Sequence, residues 1–395
     1  HVNCMFREPL APLTAEALPE PFARAVDNWR RANQPISTSV SGPPEITARD
    51  IAALAREVST SERGLLLAGG LHSEIERKAV LALSSALGWP LLADITSGLR
   101  LSPGKQLIPY YDLLAASESL RRKLAPEVVL HLGGKLTSKR LQQFLKDAAP
   151  SVFVHVSPYG EPVDPDHIVT RHIQTNIASF CDALCEEVPS PQESDYLTRW
   201  QQANRLVEDI LNQNCDGERL SEPAIARALS RNLPDSHALF VASSMPIRWL
   251  DMYASTDAGV TQVGANRGAS GIDGTMATAT GYAQGLEQPV TCLTGDLALL
   301  HDINSLALVS SSTWPVIVVL FNNNGGHIFD MLPVAKVREG YEQHFVSPHG
   351  FRFADAAAQF GLAYVCPSTA NDVIGAYRDA TQQDRSSLIE IPIDA

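Results

Sequence analysis

Five apolar runs in the C-terminal half constrain this chain more than any other feature. "HALFVAS" (237–243), "GVTQVGA" (259–265), "QPVTCLTG" (288–295), "WPVIVVLF" (314–321) and "SSLIEIPI" (386–393) are mostly continuous rather than alternating. That is the pattern of strands buried on both faces of a parallel sheet. Helical segments separate them, so a doubly wound α/β sheet is expected. One of those helices opens "SEPAIARALSRNLP", with Ser221 as N-cap and Pro223 in its first turn. Ligands of such sheets bind beyond the carboxyl ends of the strands. Four loops fall there: "SSMPIR" (243–248), "ANRGASGIDG" (265–274), "GDL" (295–297) and "NNNGGHIF" (322–329).

The preceding part repeats a strand, Gly-Gly, helix, strand pattern. "GLLLAGG", "LHSEIERKAVLALSSALG" and "WPLLAD" form one copy; "EVVLHLGG", "KLTSKRLQQFLKDAAP" and "SVFVHVSP" form the other. Residues 49–185 are therefore expected to form a Rossmann-like central domain, also mainly parallel. Each Gly-Gly either receives a nucleotide phosphate or serves a tight turn; neither has the G-x-G-x-x-G spacing. "EEVPSPQESD" (186–195) reads as a linker, and residues 196–395 as the second doubly wound domain. Residues 1–48 are Pro-punctuated and polar, a connection with room for one helix. Its opening, "HVNCMFREPLAPL", reads as the end of a strand and a following loop, as if from something longer.

Bulk properties narrow the ligands. A chain of 395 residues, 45% apolar, can bury two or three cores. A net charge of -13 with scattered Lys and Arg excludes the concentrated basic footprint that nucleic acid or an anionic membrane surface requires. No apolar run is long enough to span a membrane. Six sparse cysteines fit a reducing cytoplasm. Cys181 and Cys185 lie one helical turn apart, either as packed thiols or as half of a metal site, but no second pair accompanies them. Small molecules are the expected partners.

At the strand ends, Asp296 supplies a carboxylate and Asn323, 27 positions later, a carboxamide. With glycine carbonyls nearby, these are the hard oxygen ligands that Mg²⁺ takes alongside water and the phosphates of a cofactor. The glycines also let backbone N–H groups approach a diphosphate. Taken singly, Asp296 reads as a helix cap and the Asn-Gly cluster as a left-handed turn; the pair, flanked by buried strands, favours the metal site.

These motifs resemble the thiamin diphosphate enzymes, although Leu297 stands where their Gly-Asp motif usually has Gly. Across 243–333, "SSMPIR", "NRGASGIDG", "GDLALLHDINSLAL" and "NNNGGHIFDMLP" resemble more closely the 2-succinyl-5-enolpyruvyl-6-hydroxy-3-cyclohexene-1-carboxylate synthase family of menaquinone and phylloquinone biosynthesis, in which "GDL" is normal. The resemblance implies thiamin diphosphate and Mg²⁺, with Mn²⁺ as an alternative ion. Asp296, the Asn323 side chain and the Gly325 carbonyl would ligate the metal. Ser243, Ser244, Gly271, Gly295, Leu297 and Ile328 would join them around the cofactor. Ser244 could equally cap the helix opened by Pro246. Ile272 would be the apolar buttress under the bent cofactor, or an ordinary core residue. Arg248 and Arg267 would anchor substrate carboxylates and, with Ile272, make up the catalytic set; an inter-loop salt bridge is the other use for such arginines. Ile328, Phe329 and Leu332 would line the substrate site, and His327 takes no proton-transfer role.

The implied reaction decarboxylates 2-oxoglutarate and adds the succinyl unit to isochorismate by conjugate addition. The implied assembly is a homodimer or homotetramer with the active site between subunits. The Glu that activates the cofactor in the family belongs to a preceding pyrimidine-binding domain, and Glu8 is no substitute, so residues 1–395 alone are expected to be inactive. Two alternatives stay open: another thiamin diphosphate-dependent 2-oxo acid decarboxylase or acetolactate-type synthase, and a non-catalytic nucleotide-binding module.

Overall fold

A computed structural model of the chain describes residues 19–32, 46–160, 164–189, 195–215, 220–256, 258–260, 262–337 and 339–393. Residues 1–43 form a unit of their own. Its described part contains one helix, Glu20–Ala32, with an acidic first turn, a basic last turn and no buried residue. The rest of the expected connection, 1–18 and 33–45, lies outside the described residues.

Residues 44–395 form the second unit and contain two parallel sheets. The first holds β1 (Gly64–Ala68), β2 (Leu91–Ala93), β3 (Val128–Leu132), β4 (Val152–Ser157) and β5 (Arg171–Gln174), in the order β2-β1-β3-β4-β5. The second holds β6 (Ala238–Val241), β7 (Val263–Ala265), β8 (Val290–Gly295), β9 (Val316–Asn322), β10 (Ala363–Val365) and β11 (Ser387–Pro392), in the order β10-β11-β9-β8-β6-β7. β9 is buried along its whole length, the consequence of helices covering both faces of a central strand. β5 and β10 were not expected from the sequence. Both are edge strands, and every residue of β10 and of β5 keeps some solvent exposure, so neither needs an unbroken apolar run.

Both Gly-Gly motifs serve close packing of backbone on backbone. A Cβ on Gly69 would lie 1.9 Å from the Gly134 carbonyl oxygen, and Gly134 N–H donates to the Gly70 carbonyl over 3.1 Å. The glycines of the two repeats meet each other, which accounts for them as tight turns without a nucleotide. The helix Glu74–Leu87 that follows the first pair starts with a reciprocal capping box between Ser73 and Glu76.

The sheets are joined through a polar core. Ile95 and Leu101, from the first sheet's side, pack into the apolar cluster of the second. Beside them Asp251, 1% exposed, accepts from Ile95 N–H (2.9 Å) and Tyr111 O–H (2.8 Å). Arg100, fully buried, donates to the carbonyls of Asp251 (3.0 Å) and Ala254 (2.9 Å). Asp251 belongs to the helix Met245–Tyr253, so this junction fixes the helix that follows β6.

A second buried polar feature crosses the first sheet. Register aligns His131 of β3 with His155 of β4, and His155 with His172 of β5. The His131 and His155 rings lie 4.7 Å apart and engage the carbonyls of Gly134 and Gly133, each at 2.9 Å. Burial, reinforced by the neighbouring His155, depresses the His131 pKa to about 3. The unfolded chain therefore binds a proton that the folded chain refuses between about pH 6.5 and 3, and stability is lost as pH falls through that window. By pH 5 this one residue should cost about 2 kcal/mol relative to pH 7. Urea titrations of His131→Gln at pH 7 and pH 5 should show a loss smaller by roughly that amount than in the parent chain; equal losses would show that His131 does not carry the acid sensitivity.

Candidate active site

The chain runs from β6 outward to β7 on one side and then crosses back to β8 on the other. This reversal opens a crevice at the carboxyl ends of β6 and β8, the place where open α/β sheets receive ligands. A cavity of about 240 Å³ lies there. Ser243, Ser244, Arg248, Arg267, Ile272, Gly295, Asp296, Leu297, Asn323, Gly325, Ile328 and Phe329 all line it. Of the residues singled out from the sequence, Gly271 and Leu332 are not in its wall. Leu332 follows the short 3-10 turn His327–Met331 and donates its N–H back to the Phe329 carbonyl.

Asp296 is 2% exposed and occupies the first position of the helix Asp296–His301, with Gly295 at the N-cap. The cap alternative therefore fails on geometry. Its Oδ2 accepts from Gly325 N–H (2.9 Å) and faces His349 Nε2 at 3.1 Å; its Oδ1 accepts from Leu297 N–H (2.6 Å). Both oxygens of this carboxylate are thus engaged, and the loop carrying Gly325 is tied to the start of the helix.

The three consecutive asparagines have three different anchors. Asn322 Nδ2 donates to the fully buried Glu390 (2.7 Å), Asn323 Nδ2 donates to Glu222 Oε1 (2.8 Å), and Asn324 Oδ1 accepts from Gly350 N–H (2.7 Å). The turn then passes through Gly325 at φ 146°, where a Cβ would sit 2.3 Å from the Val346 carbonyl oxygen. Only glycine fits.

Ser244 likewise has a positive φ, 72°, and makes no side-chain cap bond, which removes the capping alternative for it. A serine kept in that region is strained and needs its surroundings to hold it. The Ser243 hydroxyl, almost fully buried, donates to the Asn266 carbonyl (3.0 Å) and so ties the β6 loop to the β7 loop. The helix Thr275–Leu286 behind Ile272 is anchored by Asp302, whose Oδ2 accepts from the N–H groups of Met276 (2.7 Å) and Ala277 (3.0 Å).

Arg248 and Arg267 are the cationic part of the wall. Arg248 donates to the Ser244 carbonyl, and neither guanidinium forms a salt bridge among the described residues. Burial lowers the Arg248 pKa, and repulsion from Arg267 lowers it further. Two like charges in a partly buried wall give this side of the cavity a cationic surface. The same two arginines also line a second cavity, of about 620 Å³, with Lys135, Lys139 and the β5 residue His172 from the first sheet's side.

Glu222, Trp249, His349 and Asp302 were not read from the sequence as site residues. Glu222 lay hidden in the "SEP" start of a helix, where an acidic residue needs no functional explanation. Burial pushes its carboxyl up, Asp296 adds to this, and the N–H donors of Trp249 and Asn323 pull it back. His349 is 53 residues beyond the carboxylate it meets, a distance at which no local signal exists.

A thiamine pyrophosphate enzyme middle-domain model matches residues 20–241, and the C-terminal thiamine pyrophosphate-binding domain model of the same enzymes matches residues 252–391. The fold agrees: benzoylformate decarboxylase of Polynucleobacter necessarius superposes with a TM-score of 0.67 over 91% of this chain and 67% of that one, at 15% identity. The chain is thus a thiamine pyrophosphate-dependent enzyme in class. Among sequence relatives, the 2-succinyl-5-enolpyruvyl-6-hydroxy-3-cyclohexene-1-carboxylate synthases of Salinibacter ruber and Rubrobacter xylanophilus are each 40% identical over 100% of this chain, covering 67% and 68% of their own lengths. The chain belongs to this synthase family.

Because Gly325 sets the turn, Gly325→Ala should displace the backbone and cost about 1–3 kcal/mol. Thermal melts without ligand, together with proteolysis around 323–327, would read this; an unchanged melting point would show that the turn tolerates a side chain.

Proposed function

We propose that the cavity between β6 and β8 is the diphosphate and metal half of an active site that joins 2-oxoglutarate to isochorismate with loss of CO2. The observation carrying this reading is the meeting of Asp296, Asn323 and Gly325 with two arginines that form no salt bridge among the described residues, in one cavity of a chain 40% identical to 2-succinyl-5-enolpyruvyl-6-hydroxy-3-cyclohexene-1-carboxylate synthases. The donor set fits the metal: one carboxylate, one amide and one backbone carbonyl are hard oxygens suited to Mg²⁺, or to Mn²⁺, and among the described residues no His/Cys/Asp/Glu cluster suits a softer ion. Asp296, Asn323 Oδ1 and the Gly325 carbonyl would hold it.

Thiamin diphosphate, when bound, supplies the capacity to decarboxylate a 2-oxo acid and to carry the remaining acyl unit to an acceptor. The chain's own residues do the rest. Ile272, with Ile328 and Phe329, gives an apolar wall that excludes water from the reacting centre. Arg248 and Arg267 orient carboxylates, of which each substrate has two. The planar fork of an arginine fixes direction as well as charge. We assign the site to a homo-oligomer completed between subunits, working in the cytoplasm; among the described residues no helix is long and apolar enough to cross a membrane. Product analysis with isochorismate present and absent distinguishes this activity from a simple 2-oxo acid decarboxylase. Release of a free aldehyde in both cases, with no adduct, would sink the proposal.

Asp296→Ala removes the charged ligand. Cofactor retention in the presence of Mg²⁺ should fall by orders of magnitude, well beyond the about 1–3 kcal/mol of ligand-free stability lost when the Gly325 and Leu297 N–H groups lose their acceptor. Made in the complete enzyme, Arg248→Lys and Arg267→Lys keep charge but lose the fork, and each should lower kcat/KM about ten- to a hundredfold with cofactor affinity little changed. Weak cofactor binding with normal substrate use would instead assign the two arginines to the diphosphate.

A further inference from the structure

We infer that Glu222 is a positioning residue that determines which atom of Asn323 faces the metal. The inference rests on the metal-site reading above and adds a residue to it.

The argument is one of donors and acceptors. An ionised carboxylate only accepts, and an indole N–H only donates. Glu222 Oε2 takes the N–H of Trp249 at 2.5 Å, which leaves Oε1 for Asn323 at 2.8 Å. A carboxamide can meet that oxygen only with its nitrogen. Asn323 Oδ1 is therefore turned away from Glu222, and among the described residues it has no protein donor. An amide oxygen is a metal ligand and an amide nitrogen is not. The neighbouring asparagines show the same device used for structure alone, since Asn322 offers its nitrogen to Glu390 and Asn324 its oxygen to two backbone N–H groups. Only the middle amide keeps its oxygen free, and it is the one that lines the cavity.

Glu222 also links two elements. Trp249 follows Arg248 on the helix Met245–Tyr253, while Asn323 follows β9. One carboxylate therefore aligns the helix carrying the substrate-facing arginine with the loop carrying the metal ligand. Such outer partners of a ligand typically change metal affinity ten- to a hundredfold when lost.

The test exchanges the two side chains. Glu222→Gln sets an amide nitrogen against a donor, either that of Trp249 or that of Asn323. Asn323→Asp sets two carboxylates against each other. In the double variant Glu222→Gln/Asn323→Asp, the glutamine oxygen accepts from Trp249, its nitrogen donates to the new aspartate, and that aspartate still has an oxygen for the metal. Mn²⁺ affinity is read by electron paramagnetic resonance titration of the native assembly with thiamin diphosphate, so no turnover is needed. Each single variant should bind Mn²⁺ about tenfold or more weakly, and the double variant should recover most of that loss. Ligand-free melting points establish that all three fold.

Asp296→Ala serves as the reference. If it leaves Mn²⁺ binding unchanged, the metal-site reading falls and this inference with it. If Asp296→Ala abolishes binding while Glu222→Gln changes nothing, or if the losses of the two single variants simply add in the double, the positioning role of Glu222 alone is overturned.

Discussion

The site depends on a carboxylate that never touches it. Asp251 sits in the junction between the two sheets, with Ile95 N–H and the Tyr111 hydroxyl on its oxygens and the Arg100 guanidinium on its backbone. Burial alone pushes its carboxyl well above the ordinary carboxylate range, with Asp94 adding to the effect. A group so desolvated is tolerable only while every partner stays in place. Its helix follows Ser244 and carries Arg248 and Trp249, so the demand for satisfied hydrogen bonds at one end becomes positional accuracy at the other. The strained φ of Ser244 persists because that helix cannot shift to relieve it.

Much of this was legible in the sequence for a simple reason. Strands buried on both faces must be written as unbroken apolar runs, and the loops at their carboxyl ends must then carry whatever chemistry the chain has. "WPVIVVLF" followed by "NNNGG" is both statements in one stretch. Glycines at 69, 133 and 134 were also visible, but their purpose was not: two loops more than sixty residues apart pack backbone against backbone, and only the assembled sheet reveals it.

What escaped were long-range polar pairs and two edge strands, β5 and β10. β5 and β10 carry too little apolar burial to leave a signal. Glu222, His349 and Asp302 occupy positions where helix-start chemistry or loop composition already explains the residue type. Their importance comes from what they meet after folding, across separations of 101, 53 and 26 residues. No periodicity encodes such meetings. The asparagine triplet lies between these extremes, since its turn was expected from composition but its division into three separately anchored amides was not.

The two arginines form a partition as well as a wall. Arg248 and Arg267 line the cavity at the ends of β6 and β8 and also the larger one reaching to Lys135 and Lys139. A guanidinium has a single charge to offer to both sides, so an anion drawn up against one face reduces the field felt at the other. Charged guests in the two chambers would then sense each other through charge, without any movement of the backbone. Thermodynamic reciprocity makes that influence equal in both directions. Between two rooms that share such a wall, the sign and number of charges on one guest become part of the affinity for the other.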